Sequence, residues 1–165
     1  MVAYNLFFGF EGRFGRAIFW ALGIPVGIVL WAFLDIGQAV WTQSHGSILR
    51  LVGAGVVWLL ATFIASVAAT ASCAIAARRL HDRNKSSSWL FLFYGVPALI
   101  WVAPCHLLPD MPALLLGAAD VAILAWQVVE LGFMRGTVGT NEYGPDPLLA
   151  DLRDRVVANA GWSLR

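Results

Sequence analysis

Between Leu51 and Ala77 the chain carries 27 consecutive residues with no acidic, basic or histidine side chain. That run limits the fold more than any other feature. As an α-helix it extends for about 40 Å at 1.5 Å per residue, more than the ~30 Å hydrocarbon core of a bilayer, so it must tilt or project beyond the membrane. The rest of the chain agrees: 59% of the 165 residues are hydrophobic, 13% are charged, and the mean hydropathy is +0.73, whereas a soluble domain carries about a quarter charged residues. A soluble enzyme and a DNA-binding module are both disfavoured. The net charge of +1 gives no affinity for a polyanion, so no nucleic-acid partner is expected. Two cysteines cannot form a disulfide framework.

Three further apolar runs accompany the long one. Ala17 to Leu34 is eighteen residues without a charge and reaches Val40 if Asp35 lies among the head groups. It follows Arg13 and Arg16 and ends in bulky Trp31, Phe33 and Leu34, with no small-x-small cleavage site, which reads as an uncleaved span and not a signal peptide. Trp89 to Leu108 and Pro112 to Met134 are separated by Pro109, Asp110 and Met111 alone, a turn that makes them an antiparallel pair. The expected fold is all-α, an integral-membrane four-helix bundle with spans at about 17–40, 51–77, 89–108 and 112–134, forming one membrane domain over residues 1–147. Residues 148–165 form an amphipathic tail, with Leu149, Leu152, Val156 and Ala160 near one face.

Basic residues set the orientation, because positive charge near a span is retained in the cytoplasm. With four spans, Arg13, Arg16, Arg78, Arg79, Arg83, Lys85, Arg135, Arg153, Arg155 and Arg165 fall on one side and Arg50 on the other. Ten against one places both termini in the cytoplasm. Helices in lipid associate through close backbone approach. The fourfold series Ala61, Ala65, Ala69, Cys73 and Ala77 is thus expected to form the packing ridge of span two, with Gly23 and Gly27 as the matching notch in span one. Pro25, Pro97 and Pro104 are expected to bend their helices. No inverted repeat is evident.

Three polar segments lie on the side assigned to the cytoplasm: Glu11-Gly12-Arg13-Phe14-Gly15-Arg16, Ala77-Arg78-Arg79-Leu80-His81-Asp82-Arg83-Asn84-Lys85-Ser86, and the turn series Gly136 to Pro147. Their combination, Gly-Arg-x-x-Arg before a Phe-Trp span, Arg-Arg-Leu-His-Asp at a loop and Gly-x-x-Gly-x-Asn-x-Tyr-Gly-Pro-Asp-Pro after the last span, resembles domain-of-unknown-function 805, the YhaH-like bacterial inner-membrane proteins. The resemblance covers Phe8 to Pro147. It implies a small multi-span protein of the bacterial inner membrane and carries no biochemical activity with it. The chain departs from that pattern at Gly15, where a serine is usual, and at Ser87 and Ser88, where Gly and Trp usually follow the loop serine.

The candidate binding cluster is Arg13, Arg16, Arg78, Arg79, His81, Asp82, Asn141 and Asp146, expected to hold an anionic lipid head group or a protein partner. Membrane lipids are the expected partners, with a protein partner or a second copy of the chain as the other option. Arg13 and Arg16, three apart, would share a face on a helix. Asp82 and Asp146 could instead pair with the arginines in a lattice tying the segments together. His81 and Asp82 point about 100° apart on a helix, and no further histidine or cysteine accompanies them on that side, so no metal and no cofactor are expected there. Near the other face, His45, Cys105, His106 and Asp110 do not define a metal site either. Gly136, Gly139 and Gly144 permit positive φ, and the stretch lacks the lysine and preceding strand of a phosphate loop. Tyr143 reads as a residue of the membrane belt.

Asp120, Gln127 and Glu130 are the intramembrane polar residues. They suggest either Asp120 bonded to Thr62, Ser66 or Thr70, or a small transporter or channel subunit. An enzyme at the membrane surface, using His81 as a base, is the third reading. It lacks an activated nucleophile, since Ser86, Ser87 and Ser88 read as ordinary loop residues, and no catalytic residue is assigned.

Overall fold

The computed structural model describes residues 2–43, 48–100 and 113–149, together with Leu152, Val156 and Val157. Every regular element among them is helical, and there is no strand. Helix α1 spans Val2–Phe8, α2 Arg16–Gln43, α3 Ile48–Asp82 and α4 Ala113–Gln127. A π-helical turn, Phe91–Gly95, opens the short apolar helix Phe91–Ile100, and α4 continues as a second π-helix over Val128–Phe133. Helix α1 has no counterpart in the sequence expectation.

Three stretches, Arg16–Val40, Leu51–Asp82 and Leu114–Phe133, are long and apolar enough to cross a membrane. They correspond to the first, second and fourth expected spans. The third differs: its helix ends at Ile100 among the described residues, and residues 101–112, with Pro104 and the Pro109-Asp110-Met111 turn, lie outside them. Pro25 sits inside α2 without ending it. Pro97 follows directly on the first π turn, where the ring would press on the carbonyl of Phe93, four residues back, and where the wider π geometry adds a residue to the turn.

The chain divides into two compact units, Met1–Gly9 with Ala21–Ile75, and Phe10–Trp20 with Ala76–Arg165. In the first unit, α2 and α3 approach at Gly37, where a Cβ would lie 3.7 Å from the Ala61 Cβ and 3.8 Å from Trp58. The expected notch at Gly23 and Gly27 is not the contact, since a Cβ at either would meet nothing within 4 Å. The buried stripe of α3 in this unit also departs from the fourfold series: Ala61 and Ala65 are buried, and burial then passes to Ala68, Ala71 and Ile75, leaving Ala69 and Cys73 half-exposed. Steps of four advance by about 400°, so each overshoots a turn by about 40°, and a stripe must alternate threes with fours to stay on one face. Ile24, Ile28, Trp31, Leu59, Leu60 and Phe63 are exposed, an apolar outer surface suited to lipid. The hydroxyls of Thr62, Ser66 and Thr70 donate within α3, to the carbonyls of Trp58, Thr62 and Ser66 at 2.8, 2.8 and 2.9 Å.

The second unit is built on Ala76, Leu80, Phe93 and Leu131, with Phe19, Trp89, Leu92 and Ile123 packed against them. Trp126 meets Trp89 and Phe93 edge-on, each at 5.7 Å. The second π-helix brings Gly132 beneath the Trp20 ring, so close that a Cβ could not be accommodated, and the indole Nε1 donates to the Gly132 carbonyl at 3.2 Å.

Candidate functional site

The three polar segments converge because all of them serve one helix end. The last carbonyls of α3 have no partner within the helix. Asn84, at φ 56°, turns the chain into the left-handed region, so that its N–H reaches the His81 carbonyl at 3.0 Å and the Lys85 N–H reaches that of Leu80 at 3.0 Å. This is the Schellman arrangement with asparagine in place of glycine. Further donors come from a distance in sequence: Phe14 N–H donates to the Arg78 carbonyl at 3.1 Å, Thr137 N–H to that of Asp82 at 2.8 Å, and Asn141 Nδ2 is a second donor to that of His81 at 2.8 Å.

Asp82 occupies the centre. Its Oδ1 accepts from Arg13 Nε at 3.3 Å and Nη2 at 3.1 Å, while Oδ2 accepts from Arg79 Nη1. Arg79 and Asp82 are brought together by their i, i+3 spacing. Arg13 arrives from a non-helical segment bent at Gly12, φ 87°. Its remaining donors go to the carbonyls of Gly139 at 2.6 Å, Gly144 at 3.2 Å and Thr137 at 2.7 Å. Arg79, the largest fully buried side chain of the chain's described part, donates also to the carbonyls of Leu131 at 2.7 Å, Phe14 at 3.5 Å and Met134. Both guanidiniums are thereby committed inside the protein. Gly136 does not adopt positive φ, as Gly139 and Gly144 do at 84° and 128°; its side chain is absent because a Cβ would run into the Asp82 carboxylate.

His81 lies on another side of α3. Its Nδ1 is 3.2 Å from the Gly12 carbonyl and its Nε2 is 2.9 Å from Ser87 Oγ. Tyr143, expected in the membrane belt, stacks on the imidazole at 3.9 Å and 3° from parallel. Arg78 places its guanidinium over the Phe14 ring at 4.2 Å. Asp146 accepts from the N–H groups of Gly139 and Leu148, both at 3.0 Å, and these bonds hold its carboxyl below the usual carboxylate range. Glu130 is buried against Arg83 at 3.1 Å and Lys85 at 2.6 Å. It is therefore held by the loop that follows α3. Gln127 is half-buried. Asp120 Oδ1 is buried and makes no hydrogen bond among the described residues.

Arg13 and Arg16 do not share a helix face. α2 starts at Arg16, so Arg13 precedes the helix and turns inward while Arg16 stays exposed, donating to the Phe133 carbonyl at 3.3 Å. Arg16 and Arg135, both exposed, line a pocket of about 630 Å³ that also includes Ala17, Ile18, Gly136 and Leu148. Arg135 was not a site residue in the sequence reading, which used it for orientation alone. Among the described residues no group of three metal-ligating side chains gathers; His45, Cys105, His106 and Asp110 lie outside them.

Membrane-length helices, one of them closed at its end by a network of arginines, carboxylates and glycine turns, define a helical membrane-protein class. The chain belongs to the family described as "Protein of unknown function (DUF805)", whose model matches residues 7–145. It is 30% identical over 140 residues to "Uncharacterized protein YiiR" of Escherichia coli strain K12, covering 84% of this chain and 86% of the relative. It is 27% identical over 140 residues, with the same coverage, to "Inner membrane protein YhaI" of that strain. The latter name and the apolar helices support a membrane location. No solved structure matches the chain.

Proposed function

We propose that the chain is a multi-pass protein of the bacterial inner membrane, with four spans and both termini in the cytoplasm, whose cytoplasmic face holds a phosphate-bearing anionic head group between Arg16 and Arg135. The reading rests on the pocket that these two exposed guanidiniums line. Guanidinium forks match phosphate oxygens two by two. Of the carboxylates lining the same pocket, Asp82 is neutralised by two arginines, and Asp146 keeps its charge while both its oxygens accept from backbone N–H groups. The first N–H groups of α2, at Arg16, Ala17 and Ile18, stand at the positive end of the helix dipole. Exposed Ile18, Val138 and Leu148 supply an apolar lining suited to the start of an acyl chain. From the expected cluster, Arg79 and Asp82 also line the pocket, and Arg13 pairs with Asp82.

Native mass spectrometry of the detergent-extracted protein tests this reading. The wild type should retain anionic phospholipid, and the double variant Arg16→Ala/Arg135→Ala should lose most of it while remaining folded. Equal retention by both would leave the arginine network as a scaffold alone. A second reading, transport, draws on the buried, unpartnered Oδ1 of Asp120. Its measure is ion or solute flux in proteoliposomes that Asp120→Asn abolishes.

A further inference from the structure

The serines following the α3 cap differ in their surroundings. Ser86 and Ser88 are exposed, whereas Ser87 is half-buried. The Ser87 carbonyl accepts the Leu90 N–H at 2.9 Å and that of Ser88 accepts the Phe91 N–H at 3.1 Å, so Ser87 is fixed in the opening turn of the next helix. Its Oγ lies 2.9 Å from His81 Nε2. A carbonyl oxygen can only accept, so the contact between His81 Nδ1 and the Gly12 carbonyl at 3.2 Å requires the proton on Nδ1. In the neutral ring Nε2 then carries the lone pair, and the Ser87 hydroxyl is the donor. A hydroxyl on a base whose tautomer is fixed by a third group is the arrangement of an activated serine nucleophile. Tyr143 holds the ring plane by stacking on it. The N–H groups of Ser87 and Ser88 make no hydrogen bond among the described residues and stand at the open start of that helix, where a developing oxyanion would be stabilised.

We infer that Ser87 and His81 form a nucleophile and base that hydrolyse acyl esters at the membrane surface. Ser87 Oγ bonds to the ester carbonyl carbon as its proton passes to His81 Nε2, and the negative charge collects on the carbonyl oxygen. The C–O bond to the alcohol then breaks, and Nε2 returns the proton to the departing alcohol, leaving an acyl-serine. Water attacks the acyl-serine with Nε2 again as base, releasing a carboxylic acid and restoring the serine. The helix that starts here is apolar and carries exposed Phe91, which points to esters with an apolar acyl chain. This activity is independent of the arginine pocket, which neither Ser87 nor His81 lines.

The test uses the purified full chain in detergent with a fluorophosphonate probe and p-nitrophenyl butyrate and octanoate. The wild type and Ser86→Ala should each take up the probe at Ser87, located by peptide mass spectrometry, and hydrolyse the esters above buffer. Ser87→Ala should lose the adduct and at least about 100-fold of the ester turnover. Because His81→Ala also removes contacts to Gly12 and Tyr143, the loss of one hydroxyl at Ser87 is the deciding change. A folded wild type with no adduct and no turnover overturns the inference, and so does equal labelling of Ser87→Ala. A Ser87→Ala variant that only melts earlier, beside an unreactive wild type, assigns the contact to packing and overturns it as well.

Discussion

Asp82 carries two buried arginines, and removing its charge strands both. Arg13 and Arg79 have side-chain exposures of 1% and 0%, so neither can recover its lost partner from water. Breaking a buried pair from one side costs about 3–5 kcal/mol, and Asp82→Asn should lower the detergent melting temperature accordingly. Arg16→Ala, at an exposed position, should stay within about 0.5 kcal/mol of the wild type. Thermal unfolding of the two variants side by side checks the contrast. The pairing of Asp82 was legible in the sequence, because arginines beside a low-dielectric boundary need carboxylates, whereas Asp146, offered for the same part, accepts from backbone N–H groups instead. The division of labour among the arginines was not. Arg13 turns inward owing to a positive φ at Gly12 and three carbonyls more than 120 residues away, and no spacing rule reports on acceptors of that kind.

At the scale of elements, the loop from Gly136 to Pro147 depends on Asp146 as an acceptor. Its carboxyl titrates below the ordinary range because the Gly139 and Leu148 N–H groups favour the charged form. A depressed folded value means that the carboxylate's contribution is complete above the unfolded value of about 3.9 and is lost as pH falls through the lower folded one. Amide exchange, corrected for its intrinsic pH dependence, should show Gly139 and Leu148 protected at neutral pH and released only at strongly acidic pH. Asp146→Ala should leave both unprotected throughout. The long helices were readable from apolar runs alone, to within a few residues at the ends of α2 and α3 that the structure reaches. The π-helices were not, since Val128 to Phe133 continues the apolar run of the α-helix before it, and its widening serves Trp20 and Arg79.

For the whole molecule, the orientation drawn from ten basic residues against one gives an accessibility pattern. In a background lacking Cys73 and Cys105, Ser86→Cys should be shielded from an impermeant thiol reagent in intact cells and react after permeabilisation. Thr42→Cys should react in both. The reverse pattern would invert the protein. The capping of α3 by both ends of the sequence has a temporal consequence. Arg13 leaves the ribosome early, yet its acceptors Thr137, Gly139 and Gly144 are 124 to 131 residues further on. Until Thr137 has been made, the Asp82 carbonyl therefore waits without its donor and Arg13 without three of its acceptors, and the latch shuts only after Leu114–Phe133 has been made. A nascent chain that stalls before Thr137 is thus chemically distinct from one that has passed it, with the Asp82 carbonyl still open.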